Sequence, residues 1–272
     1  MMSSGKFWLI LFLSVLLGTV GSGASDAENE RTAFQAIQNG DMDGTSSATK
    51  SSSQPLPNPV KPEVIRNGRS DKNKIALTFD ACSTRGIGEY DERISDVLLR
   101  MGVKATIFLG GKWAEEEREH VAMLAGNRLF ELGSHAYLHP HLAKLSDSQI
   151  RKELLRAQQA IAPLIGRQAT LFRPPYGEYD ERVVRIAAEM GLTTIEYDLP
   201  SGDPDKHATK EKLIEYVTAK AKNGSIIVMH INRRGWHTAE ALPDIIEALR
   251  GKGFELVTVG ELLEDLRAGG AK

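Results

Sequence analysis

A single cysteine, Cys82, stands in 272 residues. That scarcity excludes an intrachain disulfide framework and any zinc site built on several thiolates. Charge of one sign is also lacking. With 34 basic side chains against 36 acidic ones, the formal net charge is −2, so neither a nucleic-acid footprint nor a generally cationic membrane surface has compositional support. No internal repeat and no oligomerisation motif is found, which leaves the oligomeric state open. What is present is ordinary for a soluble globular protein: 41% hydrophobic and 26% charged residues.

The first residues set the compartment. Lys6 precedes an almost wholly apolar run, 7–20, followed by the small residues Gly21, Ser22, Gly23 and Ala24. This order predicts a secretory signal over residues 1–24 with cleavage after Ala24. The run is short for a spanning helix, so no membrane segment is expected beyond it, and an uncleaved signal anchor is the alternative. No cysteine follows the run, which excludes a lipoprotein anchor there. The remainder is expected to be secreted or periplasmic. Residues 25–70, rich in Ser, Asp, Asn, Thr and Pro, predict a flexible low-complexity tether. A folded domain is predicted over 71–268.

Within that domain seven short apolar, β-branched runs recur: IALTF, ATIFL, LFELG, ATLFR, TTIEY, SIIVM and FELVTV. Most are separated by segments with helical spacing. Ile94, Val97, Leu98 and Met101 make one apolar face. Ser146 and Gln149 have the spacing of a capping box ahead of Ile150, Leu154, Ala157 and Ile161, a stripe that runs to Pro163. Three further stripes centre on Val183 to Met190, Leu213 to Val217 and Leu242 to Leu249. Alternation of this kind predicts an α/β fold with a mostly parallel sheet, either an incomplete β/α barrel or a doubly wound open sheet.

In such folds reactive groups gather where strands end. Here Asp80, His135, Arg173, Asp198 and His230 follow five of the runs. His135 and His139 are four apart and would face one ion if the segment turned helically. Asp80, kept ionised by an arginine such as Arg173, suits a general base. His230 suits a proton donor, with Asp203 or Asp198 as the carboxylate that tunes it. His141 is better read as pointing elsewhere, and His120, His207 and His237 as surface residues.

The segments TFDA (78–81), SHAYLHP (134–140), RPPYG (173–177), YDLPSGD (197–203) and IVMH (227–230) followed by TAEALPDII (238–246) resemble, in order, the five motifs of the polysaccharide deacetylase family. The family is also called the NodB-homology domain or carbohydrate esterase family 4. The resemblance implies a deformed (β/α) barrel of about seven strands and a metal-dependent N-deacetylase acting on N-acetylated polysaccharide. By the same resemblance Asp80 is the base and His135 and His139 hold a divalent metal, commonly zinc. Arg173 orients Asp80, Pro174, Pro175 and Tyr176 line the substrate, and the amide near Tyr176 helps hold the oxyanion. His230 protonates the departing amine, with Asp203 preferred over Asp198 as its partner.

Three positions depart from the family pattern. Ala81 replaces a second aspartate that is usually a metal ligand. Water, Glu89, Asp91 or Cys82 are the replacements considered, and Cys82 is the least favoured because a lone cysteine is more often a small buried residue. Pro204 stands where an aromatic often sits, and Ile231 follows His230 where many relatives have aspartate. The leading expectation is an exported deacetylase of peptidoglycan or a chitin-like polymer. The alternatives are an exported non-catalytic carbohydrate-binding protein and an O-acetyl esterase.

Overall fold

The computed structural model describes residues 55–83 and 88–269. The chain divides into two units, Met1–Ser51 and Ser52–Lys272, of which the second is compact. All described residues belong to the second; the expected signal segment and most of the expected tether lie outside them.

The elements in chain order are β1 (Val64–Ile65), β2 (Lys74–Ala81), α1 (Glu92–Arg100), β3 (Ala105–Leu109), α2 (Gly111–Glu116), α3 (Arg118–Ala125), β4 (Phe130–Ser134), α4 (Asp147–Ile165), β5 (Leu171–Phe172), α5 (Glu181–Glu189), β6 (Thr193–Ile195), β7 (Leu199–Pro200), α6 (Lys210–Lys220), β8 (Ile226–His230), α7 (Thr238–Gly251), β9 (Glu255–Val257) and α8 (Val259–Gly269). Every ladder between them is parallel, in the order β1-β6-β5-β4-β3-β2-β8-β7, with β9 added on β2. This is a deformed (β/α) barrel. Strand β2 lies at a fork: Lys74 to Ala76 pair with β9, and Ala76 to Asp80 pair with β8.

The period-2 geometry of a strand sorts β2 into two faces. Ile75, Leu77, Phe79 and Ala81 pack outward into the main core with α1 and α7 residues such as Ile94, Leu98, Leu242 and Ile246. Ala76 faces inward, in a smaller cluster with Phe108, Leu171, Ile195, Ile226 and Leu262. Asp80 has the inward parity and is buried at the strand's C-terminal end. The alternation that builds the core therefore also aims this carboxylate into the barrel mouth.

Helix starts follow local chemistry. Asp91, Ser146, Asp180 and Thr209 each accept a backbone N–H one turn into α1, α4, α5 and α6, and Ser146 with Gln149 forms the full capping box. Helix α4 passes Pro163 and ends at Gly166, whose φ of 73° is the left-handed conformation glycine adopts most cheaply.

Two features add to the sequence reading. Among the described residues the sheet has nine strands; β1 and β7, two residues each, are too short to show a period. Ordered pairing also begins before residue 71: Val64 and Ile65 pair with Thr194 and Ile195, and the Val60 amide donates to Ala188 at 2.9 Å. Polar composition hid these contacts, which are made by backbone.

Candidate active site

Strand register fixes the first pair of functional groups. Asp80 and His230 are partners in the β2–β8 ladder, so both emerge at the same level of the barrel mouth. On the other side, Ser134 pairs with Phe172, which brings the next residues, His135 and Arg173, out together. His135 Nδ1 donates to the Arg173 carbonyl at 2.8 Å. That bond fixes the tautomer and leaves Nε2 with its lone pair, 3.7 Å from Asp80 Oδ2.

Arg173 is fully buried, donates from Nη1 to Asp80 Oδ1 at 2.9 Å, and lies with Cζ 4.1 Å from the Phe108 ring centroid. Burial opposes ionisation of Asp80. The charge of Arg173 outweighs burial and holds the carboxyl below its usual value. Asp80 is thus a buried, oriented carboxylate.

His135 and His139 do come together, with ring centroids 4.9 Å apart. They do so without the helical turn that their spacing suggested. The segment is irregular, and Ala136 and His139 both have a φ of 61°. Tyr176 shares that value. Each such residue costs about 1–2 kcal/mol, because its Cβ crowds the carbonyl oxygen. Glu153 of α4 helps hold the bend: its Oε2 accepts from the Tyr137 and Leu138 amides at 3.2 and 2.9 Å. Burial keeps both histidines neutral, lowering His135 and taking His139 down to about 2. His139 Nδ1 is buried with no hydrogen-bond partner. Two neutral imidazoles, one with an unsatisfied nitrogen, suit a divalent metal.

Of the two carboxylates considered for His230, Asp203 is the one that reaches it. Asp203 Oδ1 accepts from His230 Nδ1 at 2.9 Å and its Oδ2 from the His230 amide at 2.7 Å. Ser201 and Thr238 donate to the same carboxylate at 3.1 and 2.7 Å. Asp198 instead binds Ser225 and the Ile226 amide at the opposite end of β8, a structural role.

Pro174 and Pro175 lead into a single 3-10 turn, Pro175–Gly177, that presents an exposed Tyr176. The Tyr176 ring stacks on His141 with centroids 4.3 Å apart and meets the His139 ring edge-on at 4.4 Å. His141 also pairs with Glu178. His120 stacks on Tyr90, and His237 pairs with Glu240.

Of the side chains considered in place of Ala81, one lies beside the histidines. Glu89 is exposed and paired with Arg233, while Asp91 caps α1 and binds Arg93. Neither joins the histidines. Cys82 does: one donor atom from each of Cys82, His135 and His139 lies within 4.8 Å of the others. Glu153, Ser201, Asn232 and Thr238 were missed altogether. Ser201 and Thr238 lie inside two of the quoted motifs, whereas Glu153 and Asn232 had no sequence signal near them.

The sequence profile of the family described as Polysaccharide deacetylase matches residues 67–195. The peptidoglycan-N-acetylglucosamine deacetylase of Bacillus cereus is 30% identical over 73% of this chain and 71% of its own. This chain belongs to the polysaccharide deacetylase family, carbohydrate esterase family 4. Another relative, the uncharacterised protein YlxY of Bacillus subtilis, is 32% identical over 76% of this chain, which spans 63% of its length. Among solved polysaccharide deacetylase folds, a family 4 pseudoenzyme from Bacillus anthracis superposes with a TM-score of 0.69 at 30% identity, over 76% of this chain and 70% of that one. The profile match contains Asp80, His135, His139 and Arg173 and stops before Asp203 and His230.

Proposed function

We propose that the protein is a metal-dependent hydrolase that removes N-acetyl groups from the amino sugars of a cell-envelope polysaccharide such as peptidoglycan. The observation that carries this reading is the pairing of Asp80 and His230 on neighbouring strand ends, each held by its own partner, Arg173 and Asp203. The predicted signal over 1–24 and tether over 25–70 fit an exported domain.

The residues divide the chemistry between them. Ionised Asp80 takes a proton from the attacking water, and Arg173 keeps its carboxylate aimed. His230, with Nδ1–H committed to Asp203, delivers a proton from Nε2 to the departing amine. The Tyr176 amide, turned by its left-handed backbone, is assigned to the developing oxyanion. A divalent metal, zinc by preference, held by His135 and His139 supplies Lewis acidity toward the acetamide carbonyl, which is a poor electrophile unaided.

The test is acetate release from N-acetylglucosamine oligomers and peptidoglycan, with and without added divalent metal. Loss of release in Asp80→Asn and His230→Ala is expected; release unchanged by both sinks the assignment. O-acetylated substrates run in parallel distinguish an esterase. A second reading, an exported non-catalytic carbohydrate-binding protein, is favoured by Ala81 together with the similarity to a pseudoenzyme. It predicts polymer binding with no acetate released under any metal.

A further inference from the structure

We propose that the thiolate of Cys82 is the third protein ligand of this metal site, completing a Cys-His-His donor set with His135 and His139. The inference rests on the metal-dependent reading above and assigns a ligand at the place where Ala81 cannot serve.

The geometry comes first. The three donor atoms lie within 4.8 Å of one another, and all three residues are buried. Donors on one tetrahedral zinc stand about 3.5 Å apart, given bonds of about 2.0 Å to nitrogen and about 2.3 Å to sulfur. The remaining gap is within the reach of small side-chain rotations. His139 Nδ1, buried without a hydrogen-bond partner, independently marks this cluster as one that lacks a group.

Strand parity explains why residue 82 takes the place of residue 81. Ala81 packs into the outward core, whereas the next residue turns back toward the side that Asp80 faces. The Cys82 backbone is then clamped. Its carbonyl accepts from Asn232 Nδ2 at 2.7 Å, and the carbonyl before it accepts from the Gly110 amide at 2.7 Å. A Cβ on Gly110 would lie 3.1 Å from the Ala81 carbonyl oxygen and 3.5 Å from Cys82 Cβ, so glycine is what admits this approach. Asn232 is fully buried and comes from the loop after His230, which couples the ligand's position to the other half of the site.

Thiolate for carboxylate preserves the charge of the centre, one anion with two neutral imidazoles, and changes its softness. On coordination the Cys82 S–H bond breaks, the proton passes to solvent and a sulfur electron pair forms the bond to the metal. Such a set selects zinc over magnesium, calcium and manganese, which prefer oxygen.

The full chain, stripped with a chelator and reloaded with zinc or cobalt(II), tests this directly. Expected are about one bound ion and, in the cobalt form, a near-ultraviolet thiolate-to-cobalt charge-transfer absorption that vanishes in Cys82→Ala. Zinc affinity in Cys82→Ala should fall at least about 100-fold, since even groups that only support a metal ligand are worth about 10–100-fold. One bound cobalt with no such absorption in the wild-type protein overturns the assignment of Cys82 while leaving a metal-dependent enzyme intact, and this readout needs no variant to fold. Zinc affinity unchanged in Cys82→Ala, with circular dichroism preserved, overturns it likewise. Acetate release by a wild-type protein that binds no metal overturns the metal reading itself.

Discussion

Asp203 grips His230 twice, through the ring at Nδ1 and through the backbone amide, at 2.9 and 2.7 Å. One carboxylate thereby fixes the tautomer of the ring and the position of the strand end that bears it. Asp203→Asn offers an amide in place of one acceptor oxygen and removes the negative charge that His230 Nδ1 contacts. The expected result is a fall in kcat of about 100-fold or more, the usual scale for a general acid, with KM little changed. Steady-state kinetics on a soluble oligosaccharide measures the split; a rise in KM alone would contradict the role.

Arg173→Met leaves Asp80 buried without its partner. Breaking a buried pair in this way costs about 3–5 kcal/mol, which denaturant titration will read. The sign of the pH effect follows from the lowered Asp80 value. A depressed carboxyl stabilises the fold above its unfolded value, and that stabilisation is lost as pH falls through the folded one. Without Arg173 the carboxyl titrates higher, so the acid limb of kcat/KM should move to higher pH.

Asp91 is a cap, and its loss should be felt in stability alone. Its side chain accepts from the Arg93 amide at the start of α1 and pairs with the Arg93 guanidinium at 2.6 Å. Asp91→Ala should cost about 0.5–2 kcal/mol in urea denaturation. The side-chain hydrogen bond from Arg93 lowers the carboxyl, so the deficit should shrink as pH falls through the wild-type folded value. Bound metal and acetate release should stay at wild-type levels; a loss of metal would make Asp91 a ligand after all.

Glu153 behaves in the opposite sense. Burial raises its carboxyl, the two amide hydrogen bonds opposing that effect only in part. A raised carboxyl contributes stability that is present below the unfolded value and lost as pH rises through the folded one. Glu153→Gln, which keeps an acceptor oxygen and cannot ionise, should therefore gain on the wild type as pH increases. Glu153→Leu strands two amides, at about 1–3 kcal/mol each, and should loosen the loop bearing His139. Denaturant midpoints across pH, with metal stoichiometry at neutral pH, separate the two variants.

Much of this was legible in the chain. The seven apolar runs all became strands, and the five stripes all became helices, because burial on one face imposes a period. Helices α2, α3 and α8 escaped notice: the starts of the first two at Gly110 and Glu117 have no side-chain cap, and Gly111 opens α2. The candidate site residues read from the sequence were those at strand exits. Most of those missed act across the sequence: Glu153 on residues 137 and 138, Asn232 on Cys82, and Thr238 on Asp203. No local pattern announces a hydrogen bond 150 positions long. Cys82 was judged by composition, which weighs how often a lone cysteine is inert. The parity of the strand before it turns this residue toward the side that Asp80 faces.

The fork at β2 bears on when the site comes into being. Asp80 lies on a strand whose partners include residues 226–230 on one side and 255–257 on the other. Pairings so distant in sequence close late, after the local helices have formed. During synthesis Asp80 waits for some 150 residues before His230 exists beside it. The growing chain therefore holds Asp80 long before His230, and the two come together only when β8 docks on β2.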